Sequence, residues 1–499
     1  MTIDIANSYR LVSVVFLRLL GIIYLIAFIS LGVQIEGLAG SEGIIPIEPR
    51  LADFAANSDS WRYLQLPTLF WFNASDTALL GSTLLGGLAA LLIIAGRWTR
   101  AALVCAFVLY LSLFHACHPF LNFQWDTLLL ESGFLAIFLT PRSRVVILLF
   151  RWLLFRLRFM SGLSKLSSGD PAWSGLTALD TYFEVQPLPN PVAWYMHQLP
   201  EWLLRFGTGA TLFIELVVPF MMFLPRRWRF AAAWITIFWQ VLIILTSNHN
   251  WINFLTIVLC LFLFDDKALQ RLLPERLSTR LAWQPTPAQK GNNTIRRVAV
   301  GLLATVLLSA GSLKLYELAT NQTIPGRSGD LLNLVSTFSI VNKYHVFPTM
   351  TTYRVELELL GSRDGKEWLP YRFKYKPDVL QERPLFVIPH QPRLDWQMWF
   401  VPLHPRHVPW FGYFLTALLD NSPTVTDLLQ DNPFANGAPP RYIRVNAHQY
   451  HFTNHEEREH SGNWWRRESL GPFTPLPWAE KLPGPHLHLQ EQAPRTIPR

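Results

Sequence analysis

Apolar segments recur through the first 316 residues and constrain the fold more than any other feature of the sequence. A helix needs about 20 mainly apolar residues to cross a bilayer. Segments near that length lie at 11–33, 77–95, 101–117, 125–140, 145–163, 207–224, 230–246, 251–264 and 297–316. The sequence therefore predicts an α-helical polytopic membrane protein with about nine transmembrane helices in residues 1–316.

Basic residues between these segments orient the predicted spans, because Lys and Arg accumulate on the cytoplasmic side of a membrane. They fall in alternate loops: Arg10, Arg97, Arg100, Arg142, Arg144, Arg226, Arg227, Arg229 and the stretch 267–297. The N-terminus is then cytoplasmic, and the chain after Leu315 lies outside. The apolar segment 11–33 is too long for a signal-peptide core and predicts an uncleaved first span.

Composition argues against several other classes of protein. Hydrophobic residues make up 50% of the chain and charged residues only 16%, against about 25% charged in soluble domains. The net charge of +8 comes from residues between apolar segments, so nucleic acid is not expected as a partner. Cys105, Cys117 and Cys260 all lie in or beside apolar segments, which excludes a disulfide framework in the C-terminal part. This pattern favours a bacterial envelope protein.

Residues 317–475 predict a mainly β soluble domain on the outer side. Apolar and charged residues alternate within 351–376 on both sides of a Gly/Asp turn, which predicts a β-hairpin with acids of one strand facing bases of the other. A helix is expected at 409–420. Residues 476–499 are rich in proline and predict a disordered tail. The histidines have no fixed ligand spacing, so no metal site is predicted.

Four tryptophans of this domain lie in the motifs QPRLDWQMWF and NWWRRE: Trp396, Trp399, Trp464 and Trp465. Exposed tryptophans would suit a surface that binds a client protein or rests on the membrane. They could equally fill the core of the domain. The sequence leaves both alternatives open.

Ionisable residues within the apolar segments are costly and usually face a partner or an aqueous cavity. Counting about 1.5 Å per residue from the outer ends places Glu131, Arg158 and Glu215 roughly 8–12 Å deep. Similar depth on sequential spans predicts a Glu131–Arg158 ion pair. These residues either hold the bundle together or line a polar cavity that opens outward.

Lys165 lies in FMSGLSKLSSGDPAW, where an apolar segment becomes polar. A lysine there can extend its ammonium to water or form a structural turn with Asp170. Alternatively it is a reactive group, because a low-dielectric surrounding favours neutral lysine and hence a general base. Asp126, Asp170 and His197 are outer-side residues that could orient a substrate for such a base.

Long motifs along the chain resemble the lipase maturation factor family: FLNFQWDTLLLESGFLAIFL, RFMSGLSKLSSGDPAW, QPLPNPVAWYMHQLP, SNHNWINFLTI, FKYKPDVLQERP, HQPRLDWQMWF, NPFANGAPPRYIRV and GNWWRRE. The resemblance extends to about residue 475. It implies a multi-span protein whose C-terminal domain faces the secretory lumen and associates with client lipases. Animal members of the family are needed for homodimeric lipases to reach an active fold. The cysteine-free domain of this chain departs from those members and favours a bacterial inner-membrane setting.

The frame SGLSKL also resembles a short motif of the vitamin K-dependent γ-carboxylase superfamily. That resemblance implies a lysine base, here Lys165, which deprotonates a hydroquinone cofactor. Three hypotheses follow: an assembly factor for exported lipases or related proteins without a cofactor, a membrane enzyme using a quinone-like or lipid cofactor, and a transporter. No internal repeat or pair of broken helices supports the transporter. Membrane lipid is an expected partner under all three.

Overall fold

The computed structural model describes residues 9–58, 61–140, 144–274, 276, 281, 293–473, 478–481 and 487–489. Helices fill the first part of the chain, and a small antiparallel sheet with short helices forms the C-terminal part. The predicted fold class, a helical polytopic membrane protein with a β-containing C-terminal domain, is confirmed.

Six helices of the described chain are long and apolar enough to cross a membrane. They are α1 (Arg10–Gly32), α5 (Asp76–Ala95), α6 (Thr99–Ala116), α12 with α13 (Glu201–Leu216 and Val218–Met221), α14 (Arg226–Thr246) and α17 (Asn293–Thr320). Shorter helices connect them: α2 (Ile35–Ala39), α3 (Ile47–Ala56), α4 (Arg62–Gln65), α9 (Pro171–Ser174), α10 (Ala178–Val185), α11 (Pro191–His197) and α16 (Asp266–Leu272).

The count of nine spans is not confirmed. The remaining three segments form helices α7 (Gln124–Phe138), α8 (Arg144–Ser167) and α15 (Trp251–Leu259, continued as a 3-10 turn to Leu263). Helices α7 and α15 are shorter than the six spans, and α8 carries several arginines and a lysine. These helices pack against one another, and α8 also packs against α12 and α17. Because the apolar helices surround them, they can carry charged residues that lipid-facing helices cannot.

Local sequence explains where individual spans begin and end. The Ser75 side chain accepts a hydrogen bond from the Ala78 N–H and starts α5. Gly96 ends the same helix in the left-handed conformation, with φ of 74°. A side chain at Gly96 would collide with the Arg18 guanidinium, which donates to the last-turn carbonyl of Ile93. Arg18 therefore neutralises the C-terminal end of α5 instead of facing lipid.

The C-terminal sheet has the order β2-β1-β3-β5-β6. Strand β4 also pairs with β3, along a different part of that strand from β5. Its strands are β1 (Arg354–Ser362), β2 (Leu369–Pro370), β3 (Tyr442–Phe452), β4 (Trp465–Pro472), β5 (Trp478–Lys481) and β6 (Leu487–Leu489). The short helices are α18 (Gly326–Thr337), α19 (Arg393–Met398), α20 (Val408–Leu419), α21 (Pro423–Thr426) and α22 (His455–Ser461). The predicted helix at 409–420 is confirmed as α20.

The predicted hairpin at 351–376 is wrong in its main pairing. β1 pairs with β2 over only two residues, whereas its whole length pairs with β3. Glu356 does contact Lys376, at 3.2 Å, but it also binds Arg354. β5 and β6 fall within the predicted tail 476–499; the other residues of that tail lie outside the described part of the chain.

Two ends of the helical bundle can be distinguished. At the basic end, Arg226 pairs with Asp265, and the Asp266 carboxylate accepts from the N–H groups of Arg10 and Val12. The C-terminal domain packs on the opposite end, called the domain end below. One continuous apolar core runs from the bundle into the sheet, so the two parts are joined by buried side chains.

Candidate functional site

The junction between the C-terminal domain and the domain end of the bundle holds most of the buried polar residues. Asp126, near the start of α7, forms a two-pronged ion pair with Arg393 of α19, with N–O distances of 2.7 and 2.8 Å. Both side chains are fully buried. Tyr110 of α6 donates to the same carboxylate at 2.6 Å. Asp126 is therefore committed to an interdomain contact and does not face Lys165.

The residues just before Arg393 enter the bundle through their backbone. The Gln34 side chain donates to the carbonyl of Gln391 at 2.7 Å and accepts from the N–H of Arg393 at 2.8 Å. Ser30 accepts from the N–H of Gln391 at 2.8 Å, and Asn250 donates to the Gln391 side chain. A segment with this many buried partners is held in one position, because each lost partner would leave a buried polar group unpaired.

Lys165 forms a second anchor at the junction. Its Nζ lies 2.8 Å from the Glu215 carboxylate, 2.7 Å from the carbonyl oxygen of Val346 and 3.3 Å from that of Ser161. The two carbonyl oxygens accept hydrogen bonds from the ammonium group, and the carboxylate supplies the opposite charge. The Trp173 ring covers the ammonium with its centroid 5.0 Å away. Lys165 thus links α8 and α12 to a backbone carbonyl of the C-terminal part of the chain.

Glu215 is shared by two cations of α8. Its Oε1 lies 3.2 Å from Arg158, and its Oε2 lies 2.8 Å from the Lys165 ammonium. Arg158, Gly162 and Lys165 are spaced i, i+4, i+7, so they lie on the face of α8 that packs against α12. A Cβ at Gly162 would lie 2.8 Å from the Cβ of Glu215. The glycine therefore permits the close helix approach that brings the charges together.

The turn after Lys165 holds the same backbone segment of the C-terminal domain. Asp170 caps α9 through the N–H of Ala172, and its other oxygen accepts from the N–H of Met350 at 2.6 Å. The Trp173 indole donates to the Phe347 carbonyl at 3.2 Å. Lys165, Trp173 and Asp170 thus bind residues 346–350 at three points. We name this group, with Glu215, the 346–350 clamp.

The predicted Glu131–Arg158 pair is wrong. Glu131 pairs with Arg156, and its other oxygen accepts from Tyr344 at 2.8 Å and from the Asn342 side chain at 3.1 Å. Arg158 instead faces Glu215, as described above. Residues 342–344 belong to the C-terminal part of the chain, so this interior ion pair too supports the junction.

His197 lies elsewhere, at the C-terminal end of α11. Its Nε2 is 3.7 Å from Glu184, which also contacts His451 at 3.1 Å and accepts from the Phe452 N–H at 2.7 Å. Burial lowers the pKa of His197 below its usual value. The four predicted catalytic residues therefore do not converge: Lys165 and Asp170 hold one segment, while Asp126 and His197 bind separate partners.

Three of the four tryptophans predicted as client contacts are buried, so of the two alternatives they match the one in which these side chains fill the core. Trp396 packs edge-on against Trp125 at the bundle. Trp464 and Trp465 pack against helices α10, α11 and α12 in a second apolar cluster. Trp399 is half-buried and lines a pocket with Tyr182, Phe347 and Met350, among others. That pocket has about 220 Å³ of empty space, open solvent included.

Sequence reasoning did not identify Arg393 or Gln391 as partners of the bundle. A signal existed, since the Asp of FQWD and the Arg of QPRLDW lie in motifs that the predicted topology places on the same side of the membrane. The i, i+4, i+7 spacing of Arg158, Gly162 and Lys165 also indicates that these residues share one face of a helix. Among the described residues, no group of three or more His, Cys, Asp or Glu side chains is arranged to hold a metal ion.

Comparisons with known proteins cover nearly the whole chain. Residues 11–271 match the lipase maturation factor transmembrane domain, and residues 340–475 match the lipase maturation factor C-terminal domain. Lipase maturation factor 2 of Xenopus laevis is 34% identical over 94% of this chain and 82% of its own length. Lipase maturation factor 1 of Bos taurus is 34% identical over 94% and 89%, and that of Homo sapiens 32% over 95% and 89%. No solved structure matches the chain.

Proposed function

The chain belongs to the lipase maturation factor family, and from this premise we propose that it is a membrane-anchored maturation factor for exported lipases that acts on the extracytoplasmic face. Both the transmembrane domain and the C-terminal domain of the family are matched in this chain. The client is an exported lipase or a related secreted protein.

The observation that carries the proposal is the buried junction. A helper that acts on a folding client needs a recognition domain held at a fixed height and orientation over the membrane. The Asp126–Arg393 pair, the Gln34–Gln391 contacts and the 346–350 clamp supply that attachment with charged and polar groups that are buried on both sides. Buried ion pairs of this kind specify one arrangement, because a displaced domain would leave each charge without its partner.

The extracytoplasmic placement of the C-terminal domain is supported by the distribution of charge. Arg226, Asp265 and the helix α16 (Asp266–Leu272) lie at the basic end, away from the domain. The positive-inside rule puts the basic end in the cytoplasm. We propose a bacterial inner membrane with this domain in the periplasm; because the C-terminal domain has no cysteine, that oxidising compartment cannot cross-link it.

The function is tested with an exported lipase in cells that lack this gene, with or without a plasmid copy. The readout is lipase activity per mole of secreted lipase protein. We expect the plasmid copy to raise this specific activity, and the specific activity of an exported phosphatase to stay unchanged. Equal lipase specific activity with and without the gene would overturn the proposal.

The placement is tested by cysteine labelling in intact cells. Lys366, exposed in a turn beyond the far end of β1, and Arg227, exposed at the basic end, are changed to Cys in a Cys105→Ala background. A membrane-impermeant maleimide should label position 366 and spare position 227 until the cells are opened. The reverse labelling would put the C-terminal domain in the cytoplasm.

For the enzyme hypothesis, the position of Lys165 supports a positioning role in preference to a base. Its ammonium has three oxygen partners and an aromatic cover, all from this chain. We therefore propose that Lys165 fixes the start of the C-terminal domain.

A further inference from the structure

A group of exposed apolar side chains lies between α1 and α5, outside the junction. Trp61 is 67% exposed, Tyr63 48% and Phe72 84%. Leu64 and Leu69 are also exposed. The segment 61–72 carries a single charged residue, Arg62. Apolar exposure this dense marks a contact surface, because a water-exposed loop of this composition is unusual.

The position of the segment relative to α6 identifies what it contacts. The 3-10 turn Leu69–Trp71 is fixed on α6 by two hydrogen bonds to Ser112: the Leu69 N–H donates to its hydroxyl at 3.1 Å, and Thr68 donates to its carbonyl at 3.2 Å. Ser112 lies four residues before Ala116, the last residue of α6. At 1.5 Å per residue, the turn therefore lies about 6 Å inward from the domain end of this span.

The turn also continues the lipid-facing surface of α6. Exposed residues of that helix follow one face, with Val104, Cys105 and Val108 at helical spacing. The next position on this face, Ser112, is buried because the turn covers it. Leu69 and Phe72, which are exposed on the turn, thus form the outer surface at the level where α6 itself is covered.

Neighbouring features fit a membrane surface. Tyr63 and Trp61 are the residue types that concentrate at the level of lipid headgroups. The Arg62 guanidinium lies 5.0 Å from the Tyr63 ring centroid and 5.4 Å from that of Trp71, and it donates to the Tyr63 hydroxyl at 3.0 Å. Helix α4 packs against α18, which exposes Leu331 and Leu334.

We infer that residues 61–72 form an interfacial anchor whose apolar side chains insert into the leaflet at the domain end, in addition to the transmembrane helices. The occupant of this surface is the lipid leaflet. The anchor supports the end of α6 from which Tyr110 reaches Asp126, and so holds the junction at the membrane surface.

The experiment places a nitroxide label at Phe72→Cys or Leu64→Cys in a Cys105→Ala background, in protein reconstituted into lipid nanodiscs. Lys366→Cys, exposed in a turn of the C-terminal domain, is the matched control. Power-saturation spectroscopy compares collisions with oxygen, which dissolves in lipid, and with a neutral nickel chelate, which stays in water. All three positions are exposed, so we expect the substitutions to leave folding intact. Gel filtration before labelling checks this expectation.

Labels at positions 72 and 64 are expected to collide several-fold more with oxygen than with the nickel chelate, and the label at 72 should lie deeper in the leaflet. The label at 366 should show the opposite ratio. Nickel accessibility at either anchor position equal to that at 366 would overturn the inference. The patch would then face water and be free to bind a protein instead. The result does not depend on lipase maturation, so it can fail while the proposed function holds.

Discussion

Replacing Arg393 by Met tests whether the buried interdomain ion pair holds the two parts together. The change leaves the Asp126 carboxylate buried without a cation, with the Tyr110 hydroxyl among its remaining hydrogen-bond partners, and it removes a donor from the Phe120 carbonyl at 3.2 Å. Removing one member of a buried pair costs about 3–5 kcal/mol. An orphaned carbonyl adds about 1 kcal/mol or more, so we expect a loss of about 4 kcal/mol or more.

The assay is thermal unfolding of the purified protein in nanodiscs, followed by tryptophan fluorescence. Arg205→Met is the matched control, because Arg205 pairs with Glu201 at the protein surface and exposed pairs contribute about 1 kcal/mol or less. The double variant Asp126→Asn with Arg393→Met should recover much of the loss, since no charge then stays buried without its partner. An Arg393→Met variant no less stable than Arg205→Met would refute the reasoning.

Two further predictions concern the helix contact at the clamp and the sheet. Gly162→Ala should lower the melting temperature, because its Cβ would lie 2.8 Å from the Cβ of Glu215 and push α8 away from α12; the free energy of unfolding should fall by about 1–3 kcal/mol. The control Gly209→Ala, on α12, places a Cβ where nothing lies within 4 Å, so it should be neutral or slightly stabilising. Equal effects of the two changes would contradict the packing argument. The hydrogen bond from His448 lowers the pKa of Glu358 to about 2, against about 4.3 when unfolded. The stability it contributes is therefore present above about pH 4.3 and lost as the pH falls toward 2; solvent screening limits it to about 1 kcal/mol. Glu358→Gln should flatten the acid limb of a melting-temperature profile, and an unchanged limb would show that this group does not carry it.

Several features of the fold could be predicted from sequence because they depend on local pattern. The length of the apolar segments identified the six long apolar helices, and the alternation of apolar and charged residues predicted a strand at β1. Its partner β3 lies some 80 residues later in the chain, and nothing in the local pattern specifies that pairing. The segments α7, α8 and α15 looked like spans of the same kind because composition alone does not reveal which helices the others enclose.

The error over Glu131 has a geometric cause. Arg156 and Arg158 differ by only about 3 Å in depth, so counting residues from the end of a helix cannot separate them. Two residues correspond to about 200° around the axis, so they point in opposite directions. Arg156 faces Glu131 and Arg158 faces Glu215 for that reason. Helical phase, taken with the spacing to Gly162 and Lys165, would have been the better guide.

The most direct test of the account compares three strains that export a lipase: one without this gene, one with the wild-type gene, and one with Lys165→Gln at equal membrane abundance. Glutamine keeps an N–H donor for the Val346 carbonyl and leaves the buried Glu215 paired with Arg158, but it cannot serve as a base. The measurement is lipase activity per mole of secreted lipase. We expect the wild-type gene to raise it and the glutamine variant to keep most of that gain. An abundant, folded glutamine variant that behaves like the deletion, or a wild-type gene without effect, would contradict the account.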